Sequence, residues 1–330
     1  MKDSDNKIQM PLASIVVVTF NSAAFVLETL ESAKHQTYRN IELIISDDAS
    51  IDNTIEICKK WLLLNKDRFV RTKLVMVEKN TGVAANCNRG IKNAHADWIK
   101  FCAGDDLLLQ NCIQDNMDFV TINKSVKVLF SQLYKFTGNF DHTKAHSKYP
   151  GEYPINLMDS KFTAEDQYKR LLLSDRITYT PSYFFNKHAI LSVGAYDEKT
   201  AFIEDYPMWL KLTRSGIRLY FMEKITVAYR LHDTSLNTTL DNKLFSTQYL
   251  RTEAMRKVYV YPFLPWDLVG QMKFKYYISK LFNGKALNKN SGFHKNLYQL
   301  FTIYLNPFQY IIFFKKHILS LGKTNIFYAG

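Results

Sequence analysis

The sequence predicts an α/β chain built on a mostly parallel sheet flanked by helices, with a helical extension behind it. Three observations predict this class. Short apolar runs alternate with helical patterns from residue 14 to residue 135. Acidic pairs, Asp47-Asp48 and Asp105-Asp106, directly follow two of those runs. At 330 residues and 47% hydrophobic content, the chain has material for one large domain and an appendage.

The elements follow in order. Ser14 to Thr19 is a β-branched run and reads as a buried strand. Asn21 or Ser22 can cap a helix running to about Gln36. Ile41–Ser46 is the second strand, and Ser50 and Asp52 can cap the helix through Trp61–Leu64. Lys73–Val77 is the third strand, Val83–Ala94 the third helix and Trp98–Cys102 the fourth strand. This alternation implies parallel strands joined by right-handed crossovers. Residues 136–175 are polar and weakly periodic, and read as an excursion or mobile loop. The chain is expected to re-enter the sheet at Ile177–Phe185 and to form a late strand at Phe221–Tyr229. After Asp241 the pattern is helical, broken at Pro262, Pro265 and Gly284–Ser291.

Charge is uneven. From Asp241 to Gly330 there are 13 Lys and Arg against 3 Asp and Glu, so these 90 residues carry +10 of the total +12. They also hold 20 of the 47 aromatic residues. A basic, aromatic tail suits an anionic surface, and its apolar content favours a membrane. No nucleic-acid motif is visible. Cys58, Cys87, Cys102 and Cys112 form no CxxC pair and read as buried, reduced thiols of a cytosolic protein. The polar N-terminus predicts no signal peptide.

The first strand-to-helix turn, Val18-Thr19-Phe20-Asn21-Ser22, has no glycine, which excludes the GxGxxG dinucleotide fingerprint; no Walker A sequence follows. A nucleotide here must be held by side chains and metal. Ligands of open α/β sheets bind beyond the carboxyl ends of the strands. Carboxylates gathered there repel one another unless a cation sits among them. A hard divalent ion, Mn²⁺ or Mg²⁺, holding a diphosphate answers that need.

The chain resembles the family 2 inverting glycosyltransferases of GT-A fold, over about residues 11–237. The resemblance rests on Ser14-Ile15-Val16-Val17-Val18-Thr19-Phe20-Asn21, Gln36-Thr37-Tyr38, and Glu42 to Thr54 with its Ser46-Asp47-Asp48-Ala49-Ser50-Ile51-Asp52 core. It continues through Asn80-Thr81-Gly82, Asn88-Arg89-Gly90, Gly104-Asp105-Asp106 and Val193-Gly194-Ala195-Tyr196-Asp197-Glu198. It ends with Glu204-Asp205-Tyr206-Pro207-Met208-Trp209 and Tyr229-Arg230-Leu231-His232. Ala103 stands at the first acidic position of the family's Asp-x-Asp motif, which leaves fewer carboxylates for the ion.

The resemblance implies roles. Asp48 accepts the uracil N–H and Phe20 stacks on the base, with Thr19, Asn21, Asn80, Gly82 and Asn88 lining the nucleotide. Asp105 holds the ribose, Asp106 ligates the metal, and His232 is a further metal or diphosphate contact. Asp205, beside Glu204, is the general base. Arg89 and Arg230 are candidate diphosphate contacts, and Tyr206 and Trp209 either flank a sugar or fill a helix core. The implied domains are 1–237, catalytic, with a nucleotide-sugar half to about 135 and an acceptor half beyond, and 238–330, a helical C-terminal region. The implied partners are a UDP-sugar and a saccharide acceptor, lipid-linked, in polysaccharide synthesis at the inner face of the cell membrane.

Two other functions stay open. A sugar nucleotidyltransferase of the same fold would show a glycine- and basic-rich phosphate loop, which this chain lacks. A non-catalytic membrane-surface protein would not need Asp48, Asp106 and Asp205. In the tail, Leu297, Leu300, Phe301, Tyr304, Leu305, Phe308, Ile311 and Ile312 follow helical spacing but fall short of a transmembrane span. They read as an in-plane amphipathic helix or as a helix packed on the catalytic domain or on the partner of a homodimer.

Overall fold

A computed structural model describes residues 10–141, 143, 146–150, 155–175, 177–200, 203–232, 243–245, 248–319 and 325–328. The aliphatic runs become strands and the amphipathic runs become crossover helices. β1 (Ala13–Thr19) leads to α1 (Val26–Lys34), β2 (Ile41–Asp47), α2 (Thr54–Asn65), β3 (Arg71–Met76), α3 (Val83–Asn93) and β4 (Trp98–Ala103). Ile15, Val16, Val17, Leu43, Ile44 and Ile45 are wholly buried, as strands covered on both faces require.

The chain continues through β5 (Leu107–Leu108), α4 (Cys112–Ile122), β6 (Val128–Thr137), β7 (Ser147–Tyr149), α5 (Ile155–Met158) and α6 (Ala164–Leu173). β8 (Phe184–Asn186), α7 (Lys187–Ser192), α8 (Asp205–Arg214) and β9 (Leu219–Leu231) follow. Among the described residues the strands form one nine-stranded sheet in the order β3-β2-β1-β4-β8-β6-β9-β5, with β7 paired to β6. β1 to β4 are mutually parallel, with Thr19 opposite Asp47 and Val18 opposite Ala103. The chain winds outward from β1 to β3, then returns to place β4 on the other side of β1. The reversal makes a switch point at the carboxyl ends of β1 and β4, where such sheets bind ligands.

The described chain divides into two compact units, Met1–Lys161 with Ile177–Arg230, and Phe162–Arg176 with Leu231–Gly330. The second unit contains α6 and five further helices, α9 (Gln248–Arg251), α10 (Glu253–Tyr259), α11 (Trp266–Gly284), α12 (Gly292–Gln299) and α13 (Pro307–Phe313). Pro262 and Pro265 fall between α10 and α11, and residues 285–291 separate α11 from α12, as their compositions predict. The unit's polar anchor is Asp267 on α11. It is wholly buried, accepts the Tyr328 hydroxyl at 3.0 Å and pairs with Lys315 at 3.1 Å.

Several expectations are corrected. Neither Asn21 nor Ser22 caps the first helix, which begins at Val26 with no side-chain cap. Asn21 instead adopts φ 51° and ties its backbone N–H to Ser50 and its side-chain oxygen to Ile51 N–H. Ser50 turns back to Asp47 rather than capping α2, while Asp52 accepts from both the backbone and hydroxyl of Thr54. The excursion over 136–175 contains the end of β6, the β7 hairpin partner and α6. α6 starts from a reciprocal Thr163–Asp166 capping box. The re-entry at Ile177–Phe185 shortens to β8 because Lys100 Nζ takes the carbonyls of Pro181 and Tyr183 at 2.6 and 3.0 Å. All four cysteines are buried and free.

Candidate active site

Phe20-Asn21, Asp47-Asp48 and Gly104-Asp105-Asp106 emerge side by side at the carboxyl ends of β1, β2 and β4. The turns are bound tightly together. Thr19 is buried, and its hydroxyl donates to Asp47 Oδ2 at 2.8 Å, so it braces a loop rather than facing solvent. Asp48 N–H reaches back to the Thr19 carbonyl at 3.0 Å. Gly104 N–H donates to Val18 O at 2.9 Å, and a Cβ at Gly104 would lie 2.7 Å from Ser22 Oγ. Only glycine allows that approach. Phe20 stands 47% exposed above these turns, an aromatic face open to a base.

Asp48 is almost wholly buried and heavily bonded. Its oxygens accept the Thr81 N–H at 3.0 Å, the Thr81 hydroxyl at 2.7 Å and the Gly82 N–H at 2.7 Å. Arg89 Nη2 adds an ion pair at 2.5 Å. Burial works to raise the Asp48 carboxyl, but the bonds from Thr81, Arg89 and Gly82 outweigh it and hold the group below its ordinary value. Gly82 presents its N–H from φ 90°, a conformation that favours glycine. Asn80 Oδ1 also accepts the Gly82 N–H, at 3.1 Å. Thr81 is the site residue that motif reading passed over; its only signal was its place inside Asn80-Thr81-Gly82.

Asp106 lies on the neighbouring turn and behaves oppositely. It is buried, and its Oδ1 accepts the Arg230 backbone N–H at 2.9 Å. Burial and the adjacent Asp105 hold its carboxyl well above the usual range, against the pull of Arg230 and Lys100. Antiparallel pairing of β5 with β9, Leu107 opposite Ala228, carries β9 past Asp105 and Asp106. Asp105 itself is half-buried.

The two candidate diphosphate arginines are engaged elsewhere. Arg89 pairs with Asp48, and its buried Nε has no hydrogen-bond partner among the described residues. Arg230 is 1% exposed. Its Nε donates to the Asp105 carbonyl at 2.8 Å, its Nη2 pairs with Glu28 at 2.6 Å, and its Nη1 donates to the Gly138 carbonyl. The guanidinium lies 4.7 Å from the ring centres of both Phe25 and Phe136. Arg230 therefore latches the Asp105-Asp106 turn from below. Glu28, Phe25 and Phe136 carried no motif signal, because their meeting with Arg230 depends on contacts across most of the chain.

Glu204 and Asp205 open α8, with Glu204 at the N-cap position and no side-chain cap bond. Burial raises the Glu204 carboxyl. The Cys87 thiol on α3, pushed well up by burial, is pushed further by Glu204, Asp205 and Asp48, with Arg89 opposing. Glu204, Asp205 and Asp48 thus all lie within electrostatic reach of α3. Asn88 sits on that helix but faces the loop before α8. Its Oδ1 accepts Tyr196 N–H at 3.0 Å, and its Nδ2 donates to Tyr196 O and to Glu198. It positions this loop rather than standing open to a nucleotide. Trp209 is wholly buried against Phe130 and Tyr183, and Tyr206 is 7% exposed, so both are core side chains and flank no sugar. Their apolar spacing along α8 put them there. His232, one residue beyond β9, is half-buried.

Among the described residues no three His, Cys, Asp or Glu side chains cluster so as to hold a metal unaided. The Asp105-Asp106 pair still suits one. It offers hard oxygen donors, and burial with the neighbouring Asp105 disfavours the charged form of Asp106 in a way that a cation would reverse. A diphosphate and water would complete the shell.

Residues 14–190 match the family model described as Glycosyl transferase family 2, more than half of the chain. The chain belongs to that family. It is 27% identical over 232 residues to the UDP-Glc:alpha-D-GlcNAc-diphosphoundecaprenol beta-1,3-glucosyltransferase WfaP of Escherichia coli, covering 69% of this chain and 80% of WfaP. A glycosyltransferase of Rickettsia typhi is 26% identical over 249 residues, 75% of this chain and 73% of its own length. Among solved structures, S. aureus TarS 1–349 in complex with UDP-GlcNAc aligns with a TM-score of 0.57 at 15% identity, over 96% of this chain and 89% of that one. The mannosyltransferase PcManGT of Pyrobaculum calidifontis, in complex with GDP-Man and Mn²⁺, aligns with a TM-score of 0.51 at 13% identity, over 95% and 80%. The fold is GT-A, and the protein is a glycosyltransferase.

Proposed function

We propose that this glycosyltransferase is inverting and metal-dependent. It moves a hexose or N-acetylhexosamine from a UDP-sugar to a hydroxyl of a saccharide acceptor carried on a lipid, in O-antigen or capsule-type polysaccharide synthesis. The observation that carries the donor reading is the convergence of Phe20, Asp48 and Asp105-Asp106 at one sheet switch point. The likeness to WfaP, named for a diphosphoundecaprenol-linked acceptor, supports the acceptor class. In this reading residues to about 135 hold the donor, 136–237 form the acceptor side, and 238–330 serve the setting of the reaction rather than its chemistry.

Phe20 offers a face to the uracil, and Asp48 takes its N–H. Asp48 already has at least as many donors as its lone pairs can serve, so a uracil N–H must displace one. Arg89 is the partner able to leave, since it is a side chain on α3 and not a fixed backbone group. Freed, it meets the negative charge of the donor. Asn21, Asn80 and Gly82 hold the loops to which the nucleoside docks. Asp105 accepts a ribose hydroxyl, while Asp106 would hold Mn²⁺ or Mg²⁺. The ion, when bound, offsets charge on the departing diphosphate. Arg230 keeps Asp105 and Asp106 aimed from beneath. Asp205 removes the proton from the acceptor hydroxyl as that oxygen attacks the anomeric carbon opposite the leaving group. Glu204 lies beside Asp205, with its carboxyl raised by burial.

A panel of UDP-sugars incubated with Mn²⁺ or with chelator tests the reading. UDP release that needs both a particular UDP-sugar and the metal is the expected result. Undiminished release in excess chelator removes the metal role, and binding confined to GDP- or TDP-sugars removes the uracil assignment.

A further inference from the structure

The segment from Gly292 to Ile318 is folded with its polarity reversed. α12 runs into a π-helical turn at Leu300–Tyr304; after a break at Leu305-Asn306, α13 follows, capped by Asn306, and ends in a second π-helical turn at Phe314–Ile318. Its most deeply buried residues are polar, Thr302 at 5% exposure and Asn306 at 0%. They are satisfied by their own helix. Thr302 donates to Tyr298 O at 2.7 Å, and Asn306 donates to Thr302 O and accepts from Phe308 N–H. Phe301 packs inward on Phe282 of α11, and Phe308 on Trp266. Large apolar side chains remain open to solvent, with Ile303, Tyr304, Tyr310, Phe313, Phe314 and Ile318 all between 45% and 64% exposed and the polar Asn296, Gln299 and His317 exposed on the same stretch. The single stripe expected from sequence is therefore two faces. One packs on α11 and the other is open.

We propose that this outer face docks on an anionic lipid surface. Water does not favour so many large apolar groups in one patch. Charge identifies the occupant. From Lys285 to Leu319 there are five lysines and no Asp or Glu. Lys315 is committed to Asp267, while Lys285 and Lys289, in the connection before α12, and Lys295, on α12, are exposed. A second copy of the chain would meet the same patch across a two-fold axis and set lysine against lysine. Anionic headgroups complement the lysines, and the acyl boundary takes the phenylalanines and isoleucine. Tyrosines suit the interface between them. Among the described residues no helix is long and apolar enough to cross a membrane, so the association lies in the plane of the surface. This inference stands apart from the donor chemistry, because none of these residues belongs to the proposed active site.

The test is co-sedimentation of the full chain with phosphatidylcholine vesicles, with and without phosphatidylglycerol. The chain should pellet with the anionic vesicles and stay in solution with the neutral ones. Molar salt should weaken binding about tenfold or more, since it screens headgroup attraction. Phe313→Glu with Phe314→Glu should abolish pelleting, and Lys289→Glu with Lys295→Glu should reduce it to the neutral-vesicle level. UDP binding should be unchanged in both, which separates a lost surface from a lost fold and from a wrong donor. No pelleting of the unaltered chain, or equal pelleting of all three proteins, overturns the proposal. A dimer by light scattering that Phe313→Glu with Phe314→Glu dissolves, with no vesicle binding, assigns the face to a second copy instead.

Discussion

Asp48 and Asp106 leave neighbouring turns of one sheet edge, are equally buried, and have opposite electrostatics. Asp48 gathers two backbone N–H groups, a hydroxyl and a guanidinium, and its carboxyl falls below the ordinary value. Asp106 receives the Arg230 N–H, faces the charge of Asp105, and rises. One carboxylate has its hydrogen bonds filled; the other sits in a setting that disfavours its charged form. A buried carboxylate is stable only when its partners cover the loss of water. In the proposed reading, Asp48 takes a nucleoside N–H only by releasing one of these donors, and Asp106 is the carboxylate that a cation would relieve.

The comparison breaks most visibly at Asp106. Asp106→Asn keeps an acceptor for the Arg230 N–H and removes the ionisable carboxyl. Transfer should fall by about 10³–10⁴-fold, the loss of several kcal/mol of charge stabilisation. The melting temperature without metal should hold or rise, because the amide cannot ionise in a buried place that disfavours a carboxylate beside Asp105. Thermal melts beside activity assays check both halves. A drop in stability matching the drop in activity would mean that Asp106 is a structural residue.

Asp205→Asn tests a third carboxylate that should matter only in turnover. UDP affinity should persist while transfer falls roughly 10²–10³-fold, within the range for a lost general base. Calorimetry with UDP and a product assay separate the two. Retained turnover with lost UDP binding moves the base to Glu204.

Asp48→Ala leaves Arg89 without its carboxylate. Removing one partner of a buried pair costs about 3–5 kcal/mol, and partial exposure of Arg89 lowers this to about 2–3 kcal/mol. The effect has a pH signature. Because the folded Asp48 carboxyl is depressed, its stabilisation is complete above the unfolded value near 3.9 and disappears as pH falls through the lower folded value. The melting difference between the native chain and Asp48→Ala should therefore be constant from neutral pH to about 5 and shrink below about 4. A difference that grows on acidification contradicts the hydrogen-bond account.

Much of this edge was legible in the sequence, and the limits have physical causes. β1, β2 and β4 announce themselves because strands buried on both faces read as short, mostly apolar runs, interrupted by Glu42 in β2 and Lys100 in β4, and turn chemistry then fixes where Phe20, Asp48 and Asp105 emerge. The β7 hairpin escaped notice because its strand, Ser147-Lys148-Tyr149, is short and half-polar. α6 was obscured by a polar face, although Thr163 and Asp166 hold its capping signal. The engagement of Arg89 and Arg230 was invisible for another reason. An arginine near acidic motifs reads the same whether it meets a phosphate or a carboxylate, and Glu28 lies 202 residues from Arg230.

The smallest expected effect bears most closely on how Asp48 works. Thr81→Ala deletes the hydroxyl that donates to Asp48 at 2.7 Å and accepts from Arg89 at 2.7 Å, while keeping the backbone N–H bonds. The free protein should lose about 1 kcal/mol, the ordinary net value of such a bond. If Asp48 must release a donor before it accepts uracil, the variant has already released one. UDP affinity should then stay within about twofold of the native value even as stability drops, and Thr81→Ser should restore the melting temperature. If UDP affinity instead falls about fivefold, in step with 1 kcal/mol of stability, the Thr81 hydroxyl belongs to the bound site, and Arg89 remains on Asp48 when the nucleotide docks.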